Sequence, residues 1–151
     1  MIDKKCCEDV THSKVKIEEN GKQVVFLNKD KNTITKVRVD GCVLINKTAC
    51  DWWIKKNDID ASVLVELKGC DVEHALEQIE ATFRFLSNSQ CLLKRNAAII
   101  VCSKPSRHPS FTTKLQKAKN NLSSQYKAPL HIVTGNHEFE IEKVLLFKGP
   151  F

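Results

Sequence analysis

The sequence predicts a single α/β domain in which a mixed β-sheet is flanked by helices, and three stretches carry that reading. "KVKIEENGKQVVFLN" sets two β-prone runs around Asn20-Gly21, "DVEHALEQIEATFRFL" repeats apolar residues at helical spacing, and "RNAAIIVCS" is an uninterrupted apolar run. The first is a hairpin, because Asn-Gly supplies the positive φ of a two-residue turn. The other two, preceded by a strand, make a strand-helix-strand crossover of the kind that builds α/β folds.

Each element follows in order. The first dozen residues show no periodicity and are expected to form an irregular start. After the hairpin, "KNTITKVRVDGCVLIN" alternates Ile34, Lys36 and Arg38 against Thr35, Val37 and Val39, a further antiparallel strand with a bend at Asp40-Gly41. "ACDWWI" reads as a short aromatic strand, "KKNDID" as a polar turn and "ASVLVELKG" as a longer strand. Side chains alternate across a strand, so Val63, Val65 and Leu67 share one face while Leu64, Glu66 and Lys68 share the other. Val72, Leu76, Ile79, Phe83 and Leu86 then recur at spacings of four, three, four and three, with Asp71 placed to cap the helix. The apolar strand at 95–103 suits a parallel central position buried on both faces. "KPSRHPS" is a loop by its prolines. "FTTKLQKAKNNLSSQYK" is a second helix, with Phe111, Leu115, Ala118 and Leu122 on one side and Lys114, Lys117 and Lys119 on the other. "PLHIVTG" and "EFEIEKVLLF" are expected as closing strands around Gly135-Asn136.

Composition sets the limits. The chain has 151 residues, 42% hydrophobic and 28% charged, enough for one core, and no repeat or linker divides it. Residues 1–151 are therefore read as one domain. No run of about eighteen apolar residues exists and "MIDKKCCEDV" has no apolar leader region, so neither a membrane span nor export is expected. Seven cysteines at irregular spacing suggest free buried thiols in a reducing cytoplasm rather than a disulfide framework. A net charge of +6 suits a polyanionic partner. The absence of G-x-S-x-G, Walker A and G-x-G-x-x-G patterns removes the common arguments for serine hydrolases and nucleotide cofactors. Cys70 and His74 stand at i, i+4, but there is no CxxC. Neither Cys42 with Cys50 nor His108 nor His131 completes a zinc set, so a buried thiol and a surface histidine are expected. His137, in "GNHEFE", reads as a turn residue.

Glu66 and Lys68 remain to be explained, because burying an unpaired ion in a strand costs several kcal/mol. An edge strand with solvated charges is one explanation. Asp51 upstream supplies another. An aspartate beside one strand, Glu-x-Lys on the next and then a helix resembles the PD-(D/E)xK phosphodiesterase and nuclease superfamily, over roughly residues 34–102. That resemblance implies a restriction-endonuclease-like fold. It also implies a site in which Asp51, Glu66 and the carbonyl of Leu67 hold Mg2+ or Mn2+ while Lys68 orients or deprotonates the attacking water. Gln78 joins the catalytic candidates, since some relatives use a glutamine there to hold the lysine or a phosphate. Cys50 stands where the name-giving proline would be, and the acidic residue that relatives take from a preceding helix has only Glu8 as a counterpart.

Asp40 is read as a turn former within reach of the site from the neighbouring strand. Trp52 and Trp53 point to opposite faces, so at least one belongs to the core while the other is available for base stacking. Arg107, Lys114, Lys117 and Lys119 are the candidate nucleic-acid contacts. The expected function is a metal-dependent nuclease acting on nucleic acid, DNA first, as a homodimer or within a larger complex. The alternative from another class is a nuclease-fold protein without activity, serving as a nucleic-acid-binding or protein-interaction module.

Overall fold

The computed structural model of the chain describes residues 2–68, 71–103 and 109–149. Arg107 and His108 of the proposed loop, and Cys70 beside the first long helix, lie outside the described residues. In chain order the elements are β1 (Cys7–Val10), β2 (Lys14–Glu19), β3 (Lys22–Leu27), β4 (Ile34–Arg38), β5 (Trp52–Lys56) and β6 (Ala61–Lys68), then α1 (Val72–Asn88), β7 (Arg95–Cys102) and α2 (Pro109–Tyr126), and finally β8 (Leu130–Thr134), β9 (Glu138–Glu140) and α3 (Ile141–Val144).

A six-stranded mixed sheet in the order β1-β4-β5-β6-β7-β8 forms the middle layer. Its first four strands are antiparallel, while β6, β7 and β8 run parallel. The parallel half follows from the sequence. Val72, Leu76, Ile79, Phe83 and Leu86 are all buried along α1, so this helix must lie on the sheet and carry the chain back to start β7 beside β6. Asp71 caps α1 by accepting from the His74 amide at 3.0 Å. On the same face α2 buries Phe111, Ala118 and Leu122, and Tyr126 stacks on Phe83 with ring centroids 5.0 Å apart. Fully burying a side chain the size of Leu86, Phe83 or Leu122 contributes about 1.5–3 kcal/mol of transfer free energy.

The hairpin forms where the sequence puts it, with Asn20 and Gly21 both at positive φ, but it does not extend the main sheet. β2, β3 and β9 make a separate three-stranded sheet in which β3 and β9 are parallel. Val15, Ile17, Val24 and Phe26 alternate inward along it and pack on Val63, Val65, Ile99 and Val101 of the main sheet's other face. β6 is thus covered on both sides, and every residue in it except Lys68 is buried.

Four expectations are corrected. The opening residues are ordered: a 3-10 turn at Lys4–Cys6 leads into β1, which pairs with β4 as an edge strand. "GCVLIN" is turn and loop rather than strand, because β4 ends at Arg38 and the backbone closes on itself from Val39 to Leu44. After only three residues of β9 the chain turns helical, since Ile141, Val144 and Leu145 bury at spacings of three and four that suit a helix. Cys6 and Cys42 form a disulfide across 36 residues, so the cysteines are not all free, although Cys7, Cys50, Cys91 and Cys102 are. No helix among the described residues is long and apolar enough to cross a membrane.

Candidate functional site

Antiparallel pairing sets Trp52 opposite Val65 and Trp53 opposite Leu64, so the next step along the ladder brings Asp51 opposite Glu66 on the face covered by α1. The two residues are bonded reciprocally through their side chains. Glu66 Oε1 accepts from the Asp51 amide at 3.0 Å, and Asp51 Oδ2 accepts from the Leu67 amide at 2.9 Å. Each carboxylate therefore fixes the backbone beside the other. Lys68, two residues on and on the same face, reaches back to Glu66 Oε2 at 3.4 Å. Leu67 turns its amide toward Asp51, and a strand residue directs its carbonyl to the same side as its amide.

The loop before β5 is held from two directions. From α1, Gln78 Nε2 donates to the Ala49 carbonyl at 3.0 Å, and the Cys50 amide donates to Thr82 Oγ1 at 2.9 Å. The Thr82 hydroxyl in turn donates to the Gln78 carbonyl at 2.8 Å. From the turn after β4, the amides of Val39 and Asp40 donate to the carbonyls of Asp51 and Cys50 at 3.0 and 3.1 Å. Gln78 is thus a buried anchor for the Asp51 segment, its amide nitrogen bonded to Ala49 and not to Lys68, and its Oε1 has no partner among the described residues.

Burial and like charge dominate the electrostatics. Glu66 is 1% exposed, and its carboxyl is pushed up to about 8, first by burial and then by Asp51, against the opposing pull of Lys68. Asp51 is raised too, mainly by burial; Glu19 and Asp40 push the same way, while the Leu67 amide and Lys68 pull down. Burial also pushes the Cys50 thiol up, which makes it a poor nucleophile. Glu19 was not foreseen as a neighbour of the site. It stands at the end of β2, where Arg38 Nη2 holds its Oε1 at 2.9 Å, and only the second sheet brings it near Asp51. Glu8 does not take the place of a helical acid: it lies on edge strand β1, 3.9 Å from Lys36.

The remaining candidates separate. Trp53 is core at 1% exposure, while Trp52 is half-buried on the opposite face with Lys36 and Arg38 over its ring at 5.3 and 5.2 Å. Lys114 is paired with Glu73 at 2.8 Å, and Lys117 lines the same α1–α2 cleft beside Glu73, Glu77 and Glu80. Lys119 lies elsewhere, in a hollow with Ser123, Leu130 and Phe147. The three lysines do not form one track. His74 sits in the first turn of α1, 3.6 Å from Glu77.

Among the described residues no three His, Cys, Asp or Glu side chains converge as a ready cage for a metal. The donor set at β5 and β6 is two carboxylates with a carbonyl alongside, which suits Mg2+, a cation that usually keeps several waters and takes one or two carboxylates. It does not suit zinc, which wants three or four nitrogen or sulfur donors. In comparisons with known proteins, no family model matches the chain, no curated protein matches its sequence and no solved structure matches its fold.

Proposed function

We propose that the chain is a metal-dependent phosphodiesterase of the PD-(D/E)xK type with a restriction-endonuclease-like core, acting on nucleic acid and on DNA first. One observation carries the reading: Asp51 and Glu66 are interlocked at the end of two adjacent strands, with Lys68 on the same face and 3.4 Å from Glu66. A buried carboxyl raised to about 8 beside a second raised carboxyl is a site where ionisation is under-compensated by the protein's own charges.

Asp51, Glu66 and the Leu67 carbonyl would hold Mg2+ or Mn2+, which supplies Lewis-acid polarisation of a phosphate oxygen and a more acidic water. The protein's own groups do the rest. Asp51 and Glu66 are each oriented by a backbone amide bonded to one carboxylate oxygen. Lys68 is partly exposed and offers an ammonium to the attacking water and to charge gathering on the phosphate. Gln78 and Thr82 keep the Asp51 segment seated on α1.

The second reading, an inactive interaction module, is favoured by one observation: the candidate phosphate contacts are not gathered into one track, with Lys114 paired to Glu73 and Lys119 in a separate hollow. The test is purified protein on single-stranded, double-stranded and branched DNA and on RNA, with Mg2+, Mn2+ or EDTA. Cleavage that needs metal and is lost in Asp51→Asn is expected; binding without cleavage of any substrate establishes the module instead.

A further inference from the structure

The Cys6–Cys42 disulfide ties the N-terminal segment before β1 to the turn that follows β4. Cys6 closes the 3-10 turn before β1, an edge strand paired to β4 through only four residues. Cys42 lies in the turn whose backbone hydrogen bonds run from Val39 to Leu44, and Val39 and Asp40 bind the carbonyls of Asp51 and Cys50. Beyond this turn, Ile45 to Thr48 are exposed before the chain is caught again at Ala49 and Cys50. The two residues differ in access: Cys6 is buried, whereas Cys42 is partly exposed.

We propose that Cys6 and Cys42 form a thiol–disulfide exchange site that takes a dithiol reductant and sets how tightly β1 and the segment leading to Asp51 are held. A thiolate of the dithiol attacks Sγ of Cys42, the more exposed of the two residues, and breaks the Cys6–Cys42 bond. Cys6 leaves as thiolate and takes up a proton. The second thiol of the reductant then displaces Cys42, so the protein gains two electrons and two protons while the dithiol becomes a disulfide. Once reduced, β1 keeps its four-residue ladder to β4, the hydrogen bond from Thr35 to Asp9 and the packing of Cys6, and the turn at Val39–Leu44 loses its covalent tie to the N-terminal strand. The proposal concerns order in the segment and does not depend on the phosphodiesterase reading.

The test uses the full chain, kept oxidised or equilibrated with dithiothreitol, and Cys42→Ser as a permanent mimic of the reduced state. Thiols are trapped with a maleimide and counted by mass, and backbone hydrogen exchange is followed without metal or nucleic acid. Reduction under native conditions is expected to expose two further thiols and to speed exchange at 2–10 and 39–51 by at least about tenfold, with α1 and β7 unchanged. Cys42→Ser should show the fast pattern with or without dithiothreitol. A chain that contains no such disulfide when purified under air, or that yields the thiols only in denaturant, overturns the proposal. So does exchange at 39–51 that is the same in both states. Loss of protection throughout the chain in both reduced protein and Cys42→Ser overturns it as well, because the bond is then a general staple.

Discussion

Glu66→Gln is the most direct perturbation of the candidate site. In the folded chain the Glu66 carboxyl is raised from 4.5 to about 8, first by burial and then by Asp51. Between those values the folded protein keeps a proton that the unfolded chain has released, so its stability falls as pH rises through the window. The gap, at about 1.4 kcal/mol per pH unit, caps the cost above pH 8 at about 5 kcal/mol. Lys68 and Asp51 share the titration, so about 2–4 kcal/mol is expected in practice. Glutamine keeps an oxygen for the Asp51 amide but carries no charge to desolvate. In chelator, wild type and Glu66→Gln should melt together near pH 5. Near pH 8.5 the variant should melt higher by roughly 5–15 °C, given about 2–4 °C per kcal/mol for a chain of this size. The comparison between the two proteins matters because His131 opposes the trend. Burial lowers its pKa, so the unfolded chain binds the extra proton and stability rises with pH near neutrality, equally in both proteins.

Adding Mn2+ or Mg2+ at pH 8.5 should invert that order. Wild type gains stability by mass action while the variant, lacking one oxygen anion, gains little. Metal affinity in the wild type should also climb with pH up to about 8, since binding must expel the Glu66 proton. Thermal melts in EDTA and in Mn2+, with calorimetry in two buffers of different ionisation enthalpy, read all three effects. If Glu66→Gln is no more stable than wild type at pH 8.5 in chelator, the buried carboxylate is not a destabilised ion. If metal raises both proteins equally, the cation is not held by Glu66.

Three other variants test the neighbouring groups. Lys68→Met should keep or raise metal affinity, by relieving repulsion, while turnover drops by about a hundredfold, the scale of losing one electrostatic stabiliser; parent-rate cleavage removes Lys68 from the chemistry. Glutamine at Lys114, Lys117 and Lys119 together should make the slope of log affinity against log salt shallower by no more than about 0.9, one duplex contact, because Lys114 is spent on Glu73 and Lys119 lies apart. Thr82→Val leaves the buried Cys50 amide without its acceptor and should cost about 1–3 kcal/mol in a denaturant titration. It should weaken metal binding as well, through the loosened Asp51 segment.

Local chemistry made part of this molecule readable from sequence. Strand parity gave the shared face of Glu66 and Lys68, a spacing of three and four gave the buried face of α1, and Asp71 and Asn20-Gly21 marked a cap and a turn. Parity also put one tryptophan in the core, and that is Trp53. What was hidden depends on long-range pairing. β3 joins β9 across more than a hundred residues, so the hairpin's second-sheet role, and with it the approach of Glu19 to Asp51, has no local signature. Edge strand β1 is short and charged, with none of the alternation that marks a half-buried strand, and only its partner β4 makes it one. Lys114 looked free because its partner Glu73 sits on another helix, 41 residues earlier. Thr82 has no sequence signal of its own, because its role exists only once the Cys50 loop folds against it.

The two buried charges on β5 and β6 show why the Asp51 end needs something that the Lys56 end does not. Lys56 is 4% exposed, and its ammonium lies 3.4 Å from Asp30 and 3.1 Å from Glu142. Burial pulls its pKa down, yet the two carboxylates more than offset that and hold it above the ordinary lysine value. This charge is compensated within the chain. At the other end Glu66 is buried more deeply, and among the described residues the one cation bonded to it, Lys68, faces two carboxylates rather than one. Glu19 brings its own counter-ion in Arg38, and Asp40 adds further negative charge, so neither relieves the pair. A chain selected only to fold would lose little by an apolar residue at position 66, since replacing a buried ion by a hydrophobe is often neutral or stabilising. The cost of keeping Glu66 is recovered if a cation from outside completes the charge balance, and the same imbalance sets the affinity for that cation.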